Sequence, residues 1–420
     1  MLPDSSARVR ASGRRHDALD ARYERVRART EMLVAPLSPE DMTPQANPDC
    51  SPAKWHLAHT SWFFDRMLLR ERGLSPAPVG RWDGVFNSYY VALGARGRRD
   101  ARGLLTRPSV SEMLAFRAAV DAAMLRLIAG EAAENPALAA SIELGLEHEE
   151  QHQELLLADI LALFALNPEH PAYLTAPPPQ PRALPPATFT EHPGGLLCIG
   201  AEAGGFAFDC ERPRHRLFQA PFALADRLVS NSEWQAFLDD GGYDTPLLWL
   251  SDGWAARERE GWRAPAYWLD REGEALEFTL AGLIPRAPQA PVRHISFYEA
   301  EAFARWAGKR LPTEAELELG APPPADLGFS GLDDLAVALS APEATHGLWQ
   351  WSASAFSPYP GFKPAAGAVG EYNGKFMANQ MVLKGGCFAT PRGHVRASYR
   401  NFYYPQQRWM FSGLRLAEAG

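Results

Sequence analysis

The sequence predicts an α+β chain in two parts, a helical bundle over residues 17–166 and a loop-rich α+β domain over residues 190–420. Three observations predict it. From about Asp17 to Leu166 the chain runs in long stretches without internal glycine, with apolar residues three and four apart, the spacing of one helix face. Eight prolines then crowd into the 23 residues of "NPEHPAYLTAPPPQPRALPPATF". Each proline fixes φ and removes a backbone donor, so residues 167–189 are expected to be an extended linker. Beyond it, "GGLLCIGAEAGGFAFDCERPRHRLFQAPFALADRLVS" has short apolar runs cut by glycine pairs and prolines, the mark of short strands and turns. A length of 420 residues also exceeds one ordinary core and suits two domains.

Residues 1–16 carry small, polar and basic side chains and are expected to be a disordered lead-in. In the bundle, "SEMLAFRAAVDAAMLRLIAG" puts Met113, Phe116, Val120, Met124 and Leu127 on one stripe, with Ser111 as the start and Gly130 as the stop. "SPAKWHLAHTSWFFDRMLL" and "EHEEQHQELLL" are two further helices, the second continuing through Leu161 into the core and leaving its histidines near the bundle mouth. In the second domain "SFYEAEAFARWAG" is a helix with Ser296 as N-cap and Gly308 past its end.

Composition excludes several classes of function. A net charge of −8 with 22% charged residues leaves no basic stripe for nucleic acid. The N-terminal segment has no apolar run long enough for an export signal, and no segment approaches the roughly 18 to 20 apolar residues of a membrane span. Cys50, Cys198, Cys210 and Cys387 are scattered and form no CxxC pair, which suits a reducing cytoplasm.

The chemistry starts at His148 and His152. Residues four apart on a helix lie one turn apart on one face, with Cβ atoms about 5 to 6 Å apart, so two imidazoles there can share an ion. Such a pair taken alone is common and needs no ligand. His56 and His59, on the aromatic helix, offer a third nitrogen, although a histidine among such rings also reads as a core residue bonded to a carbonyl. Three neutral imidazoles leave an ion's charge uncancelled and coordination positions open, as a catalytic site requires, and leave zinc and iron equally admissible.

The motifs "SPAKWHLAHTSWFF", "FNSYY", "RGLLTRP" and "HEEQHQELLL" resemble the N-terminal DinB-like four-helix bundle of the ergothioneine-biosynthetic sulfoxide synthases. "GFAFDCERPRHRLF", "LADRLVSNSEW", "RWAGKRLPTEAE", "PYPGFKPAAGAVGEYNGKFM" and "ASYRNFYYPQQRWMFSGLRL" resemble that family's second domain, which shares the C-type-lectin-like α+β fold of the formylglycine-generating enzymes. The match runs from about Asp17 to Glu418 with the motifs in order. It implies a nonheme iron(II) enzyme that joins a thiol, cysteine or γ-glutamylcysteine, to C2 of the imidazole of hercynine with O2, leaving a sulfoxide. The resemblance places the iron on His59, His148 and His152, makes His56 a supporting residue, and puts Gln151 on the substrate imidazole.

The "NSYY" segment resembles the branch whose N-terminal domain brings tyrosines to the iron, which assigns the proton and electron donor to Tyr89 or Tyr90, with Tyr90 preferred. Tyr372 matches a substrate-site tyrosine of the family, and Asn401 and Phe402 match positions at the hercynine site. Aromatic faces there suit a quaternary ammonium. Tyr403 stands where the other branch has an acidic contact to γ-glutamylcysteine, a departure that favours cysteine or another small thiol. In the basic run "GARGRRDARGLLTRP", Arg102 and Arg107 are candidates to clamp the thiol's carboxylate, since a guanidinium fork matches it bidentately. Gln350, Leu317 and Cys387 depart from the family's usual text within the second domain. The other readings are an ovothiol-type synthase acting on unmodified histidine and a catalytically silent binding module. A copper oxidase would need a thiolate set that the isolated Cys387 does not supply.

Overall fold

The computed structural model describes residues 18–78, 80–177, 184–340, 347–366 and 368–419. The lead-in expected over 1–16 lies outside the described residues, as does the centre of the proline-rich stretch. The first part is built from α1 (Leu19–Val34), α2 (Ala53–Phe64), the single turn α3 (Asp83–Phe86), α4 (Val110–Leu127) and α5 (Pro136–Ala165). Asn135 caps α5 by accepting the Leu138 amide, and Pro136 sits in the first turn, where no backbone donor is needed.

In α4 the stripe Met113, Phe116, Val120, Met124 and Leu127 is buried throughout, as its spacing requires. The cap is Ser109, not Ser111: a capping box needs a glutamate three residues on, and Ser109 has Glu112. Nor does the chain stop at Gly130, which lies inside the wider turn Ile128–Ala132.

A buried ion network ties the bundle together behind the histidines. Glu149 of α5 accepts from Arg27 (2.7 Å), Thr30 (2.6 Å) and Arg117 (2.7 Å). Burial alone would raise the Glu149 carboxyl, but Arg117 and Arg27 carry it down to about 2, so it is ionised at any ordinary pH. Where α2 crosses α5 there is no room for a side chain: a Cβ on Gly145 would lie 2.6 Å from Phe64 Cε1. That close approach comes one turn before His148.

The second part contains β1 (Phe189–His192), β2 (Gly195–Ile199), β3 (His215–Gln219), β4 (Phe222–Ala225), β5 (Trp268–Arg271), β6 (Glu274–Thr279), β7 (Gly282–Pro285), β8 (Trp349–Ala355), β9 (Met381–Lys384), β10 (Asn401–Tyr403), β11 (Ser412–Gly413) and β12 (Ala417–Ala419). They form sheets of order β1-β4-β12, β2-β3, β5-β6-β7 and β10-β9-β8-β11. Around them lie α6 (Asn231–Asp239), α7 (Ser251–Glu260), α8 (Phe297–Trp306), α9 (Glu314–Gly320) and α10 (Leu332–Ser340). Ser296 caps α8 and Gly308 follows it in the left-handed conformation, as expected from the sequence, and Ser230, Ser296 and Thr313 each close a capping box, with Glu233, Glu299 and Glu316.

The β10-β9-β8-β11 sheet and its loops cover α5. Trp349 of β8 donates to Glu154 at 2.7 Å, Trp409 to Asp159 at 2.9 Å, and Tyr173, at the start of the proline-rich stretch, to the Leu33 carbonyl at 2.6 Å. The histidine segment is therefore mid-helix under this seam, not at an open bundle mouth. Among the described residues, no helix is long and apolar enough to cross a membrane.

Candidate active site

His59, His148 and His152 each offer one ring nitrogen, and these atoms all lie within 4.8 Å of one another. His59 comes from α2, and the other two come from α5, one turn apart. His59 Nδ1 lies 2.6 Å from the Phe86 carbonyl, so that nitrogen carries the hydrogen and Nε2 is bare. His59 Nε2 stands 3.2 Å from His148 Nε2. Two imidazoles bound about 2.1 Å from one ion at roughly right angles stand about 3 Å apart, so the pair fits shared coordination.

Burial keeps all three rings neutral, with His148 pushed down to about 3 and His59 and His152 well below their usual range. Neutral imidazole is the form that binds a metal. His148 Nδ1 is buried without a hydrogen-bond partner. The donor set fits a divalent ion such as iron(II) or zinc(II).

A cavity of about 310 Å³ opens beside His148 and His152, with Gln151, Tyr89, Arg102, Tyr372, Tyr399, Asn401, Phe402 and Tyr403 among its walls. A larger groove of about 600 Å³ shares Tyr372 and Asn373 but touches no histidine. Gln151 sits at the centre of the seam. Its Nε2 donates to the Tyr399 hydroxyl at 2.6 Å, and its Oε1 accepts from the Tyr372 hydroxyl. Tyr372 also packs edge-on against His148 (centroids 5.4 Å apart) and flat on Phe208.

The "NSYY" turn is closed by Asn87, whose side chain accepts from the Tyr90 amide at 3.0 Å and donates to the Tyr90 carbonyl at 2.9 Å. Of the two tyrosines, Tyr89 lines the cavity, flanked by Tyr372 and Phe376. Tyr90, preferred from the sequence, lies behind it, fully buried, with its hydroxyl 3.3 Å from that of Tyr89. Burial raises both phenols, so both stay protonated.

Arg102 is buried, stacks over Trp55 at 3.4 Å and donates to Ser51 and Ser88. Among the described residues Arg102 forms no direct ion pair, and the carboxylate that acts on it electrostatically is Asp159. Arg107 is exposed and lines no part of the cavity. Phe402 stacks on Phe356 at 4.1 Å, and Tyr403 meets Trp409 edge-on at 5.6 Å.

Among the residues departing from the family text, Gln350 accepts from Arg415 and Leu317 fills a core position. Cys387 sits 3.3 Å from Thr390, which donates in turn to Glu154 of the cavity wall. Sequence reasoning missed Tyr399, Glu154, Asp159, His394 and Trp409. Asp159 had a signal: it lies seven residues past His152, on the same face of a helix already recognised.

The sequence pattern of the DinB superfamily matches residues 22–156, and that of the sulfatase-modifying factor enzyme 1-like domain matches residues 175–328. The chain is therefore a DinB-type helical domain followed by an FGE-sulfatase domain of mixed helix and sheet. It is 33% identical over 428 residues to the hercynine oxygenase of Mycolicibacterium smegmatis, covering 93% of this chain and 96% of that one. With the hercynine oxygenase of Mycobacterium tuberculosis it shares 30% identity over 435 residues, covering 96% and 98%. Ergothioneine biosynthesis protein 1 of Schizosaccharomyces pombe is 26% identical over 230 residues, which span 51% of this chain and 28% of that protein.

Proposed function

Because the chain belongs to the hercynine oxygenase family, we propose that it joins a small thiol to C2 of the hercynine imidazole with O2, on iron(II) held by His59, His148 and His152. The balance is simple. The C2–H and S–H bonds break and a C–S bond forms. One oxygen atom ends on sulfur as a sulfoxide, and the other leaves as water with both hydrogens. Iron(II), when bound, supplies the reducing centre that activates O2.

The observation that carries this reading is the setting of Gln151. One turn after His148 and directly before His152 in α5, its amide is gripped from the second domain by Tyr372 and Tyr399, which use one donor and one acceptor position. One N–H and one oxygen lobe remain for a substrate imidazole. Tyr372, Phe402 and Tyr403 offer aromatic faces to a trimethylammonium group, with Asn401 beside them. Arg102 is a buried cation awaiting a carboxylate, which the thiol substrate carries. The Tyr89 phenol, on the cavity wall with Tyr90 behind it, gives a proton to the reacting oxygen in this reading. Since Tyr403 supplies no negative charge, cysteine is the favoured thiol over γ-glutamylcysteine. The division of labour follows the residues on either side of 167–189, ion in the first part and most of the substrate wall in the second. Four unpaired cysteines support a reducing compartment, the cytoplasm.

The test is O2 consumption by anaerobically prepared protein reloaded with iron(II). Uptake that requires hercynine and a thiol together, with the sulfoxide identified by mass, is the expected result. Turnover of histidine in place of hercynine would make the protein an ovothiol-type synthase. No uptake with any thiol would leave it a binding module.

A further inference from the structure

We propose that Trp409, Asp159 and His56 form a directed hydrogen-bond chain that sets the ring tautomer of His152, so that the second domain governs how tightly the bundle holds its metal. The inference rests on the reading of His59, His148 and His152 as metal ligands. Its direction follows from the two groups that can only donate. The Trp409 indole N–H donates to Asp159 Oδ1 at 2.9 Å, and the Ser51 amide donates to Asp159 Oδ2 at 2.7 Å. Both oxygens of Asp159 are thereby acceptors, and His56 Nε2, 3.1 Å from Oδ2, must carry a hydrogen toward it.

A neutral His56 then has a bare Nδ1. That atom faces His152 Nδ1 at 2.8 Å, so the hydrogen between the two rings belongs to His152. What is left on His152 is a bare Nε2, the atom an ion would take. Reversing any link would set two lone pairs or two N–H groups against each other, which is costly between side chains as buried as His56, Asp159 and Trp409. The carboxylate at the head of the chain also makes the ligating ring more basic.

The three ligands are thus oriented by different means. His59 is set locally by the Phe86 carbonyl, and His148 Nδ1 has no hydrogen-bond partner. Tyr372 packs on His148, but of the three rings it is His152 that a hydrogen-bond chain among the described residues joins to the second domain, through an indole 250 residues from Asp159 in sequence. Asp159, Trp409 and His56 act here as positioning residues.

The experiment uses the full chain stripped of metal, without substrates, and Co(II) as the probe, its dissociation constant read by competition with a chromophoric chelator. Asp159→Asn is expected to weaken Co(II) binding about 100-fold and Trp409→Phe about 10-fold, the range typical of groups behind a metal ligand. Trp409→Phe is the gentler change should Asp159→Asn fold poorly. Trp349→Phe is the control, because it removes a similar indole–carboxylate bond across the same seam, to Glu154, that is not joined to the chain. Its affinity is expected to match the parent protein. If the parent binds one Co(II) and Trp409→Phe binds it equally well, the chain is overturned while the enzymatic reading stands. Equal weakening by Trp349→Phe would mean that seam docking in general sets the affinity, which also overturns it. Failure of the parent to bind Co(II) would sink the metal site itself, and the proposed function with it.

Discussion

Gln151 donates its side-chain amide to the Tyr399 hydroxyl at 2.6 Å, joining α5 to the second domain directly beside the paired histidines. Tyr399 is in turn 3.1 Å from His394, so the hydroxyl is held from two sides and the amide cannot swing freely. Tyr399→Phe removes the anchor and leaves the histidines untouched. A lost hydrogen bond of about 1 kcal/mol should raise the KM for hercynine roughly 5- to 10-fold. The affinity for a metal probe should not change, and a fall in that affinity would show the tyrosine acting on the ion rather than on the amide.

The tyrosine pair makes a second prediction. A neutral phenol facing the cavity can give up a proton, whereas one behind it can only support its neighbour. Tyr89→Phe is expected to slow sulfoxide formation about 100-fold or more, the scale of a lost general acid. Tyr90→Phe should cost less, about 10-fold, by the same scale. Native sulfoxide rates in a Tyr89→Phe, Tyr90→Phe double variant would remove both from the chemistry.

Much of this was legible in the sequence because it is periodic or local. The α4 stripe, the Ser296 capping box and the i, i+4 histidines each follow from one helical turn, and the proline-rich stretch announces itself by composition. The contacts across the seam follow no period. Tyr399 and Trp409 sit in an aromatic run whose spacing does not say which rings face α5, and only the fold of the second domain brings them there. The preference for Tyr90 over Tyr89 went astray for the same reason: the Asn87-closed turn, not the sequence order, decides which ring faces the cavity, and it is Tyr89. Arg102 and Arg107 looked alike within one basic run, and burial separates them.

That separation is testable. Burial, and then the neighbouring Arg99, lower the Arg102 guanidinium to about 9, so it stays charged at neutral pH. Asp159 offsets this only in part and makes no direct ion pair with Arg102, so a substrate carboxylate is the natural partner. Arg102→Ala should raise the thiol KM about 10- to 100-fold, the scale of a lost hydrogen bond to a charged group, while the hercynine KM is unchanged. Arg107→Ala should alter neither. An unchanged thiol KM in Arg102→Ala would take this arginine out of the site.

Gly145 sets the distance between the two histidine-bearing helices. Adding a methyl there meets Phe64 at 2.6 Å and Phe63 at 3.2 Å, both ring carbons in a packed core. Overpacking of this kind costs about 1 to 3 kcal/mol. Gly145→Ala is therefore expected to lower the melting temperature and, by easing α2 away from α5, to loosen Co(II) binding at the His59–His148 pair. A melting point and an affinity both at parent values would mean that the rings yield without moving the helices.

The last prediction concerns pH and the seam. His394 Nδ1 lies 2.7 Å from Glu147 Oε2, an ion pair bent away from the line of the ring N–H, with Arg396 and Arg22 on the same carboxylate. Burial would lower the His394 imidazole, but Glu147 outweighs it and raises His394 to about 9. Burial likewise would raise Glu147, while His394, Arg396 and Arg22 bring it down to about 2. A raised histidine gives stability that is complete below its unfolded value of about 6.5 and lost as pH climbs through about 9. A depressed carboxylate gives stability that is complete above its unfolded value of about 4.5 and lost as pH falls toward about 2. The pair is therefore fully effective between about pH 4.5 and 6.5. On the alkaline side the loss amounts to about 3 kcal/mol, and the shift of Glu147 is the same interaction seen from the other partner and is not added to it. Thermal unfolding of the parent should fall steadily from pH 6.5 to 9, whereas His394→Gln should start lower and stay level over that range. Parallel declines in the two proteins would show that some other group controls the alkaline loss.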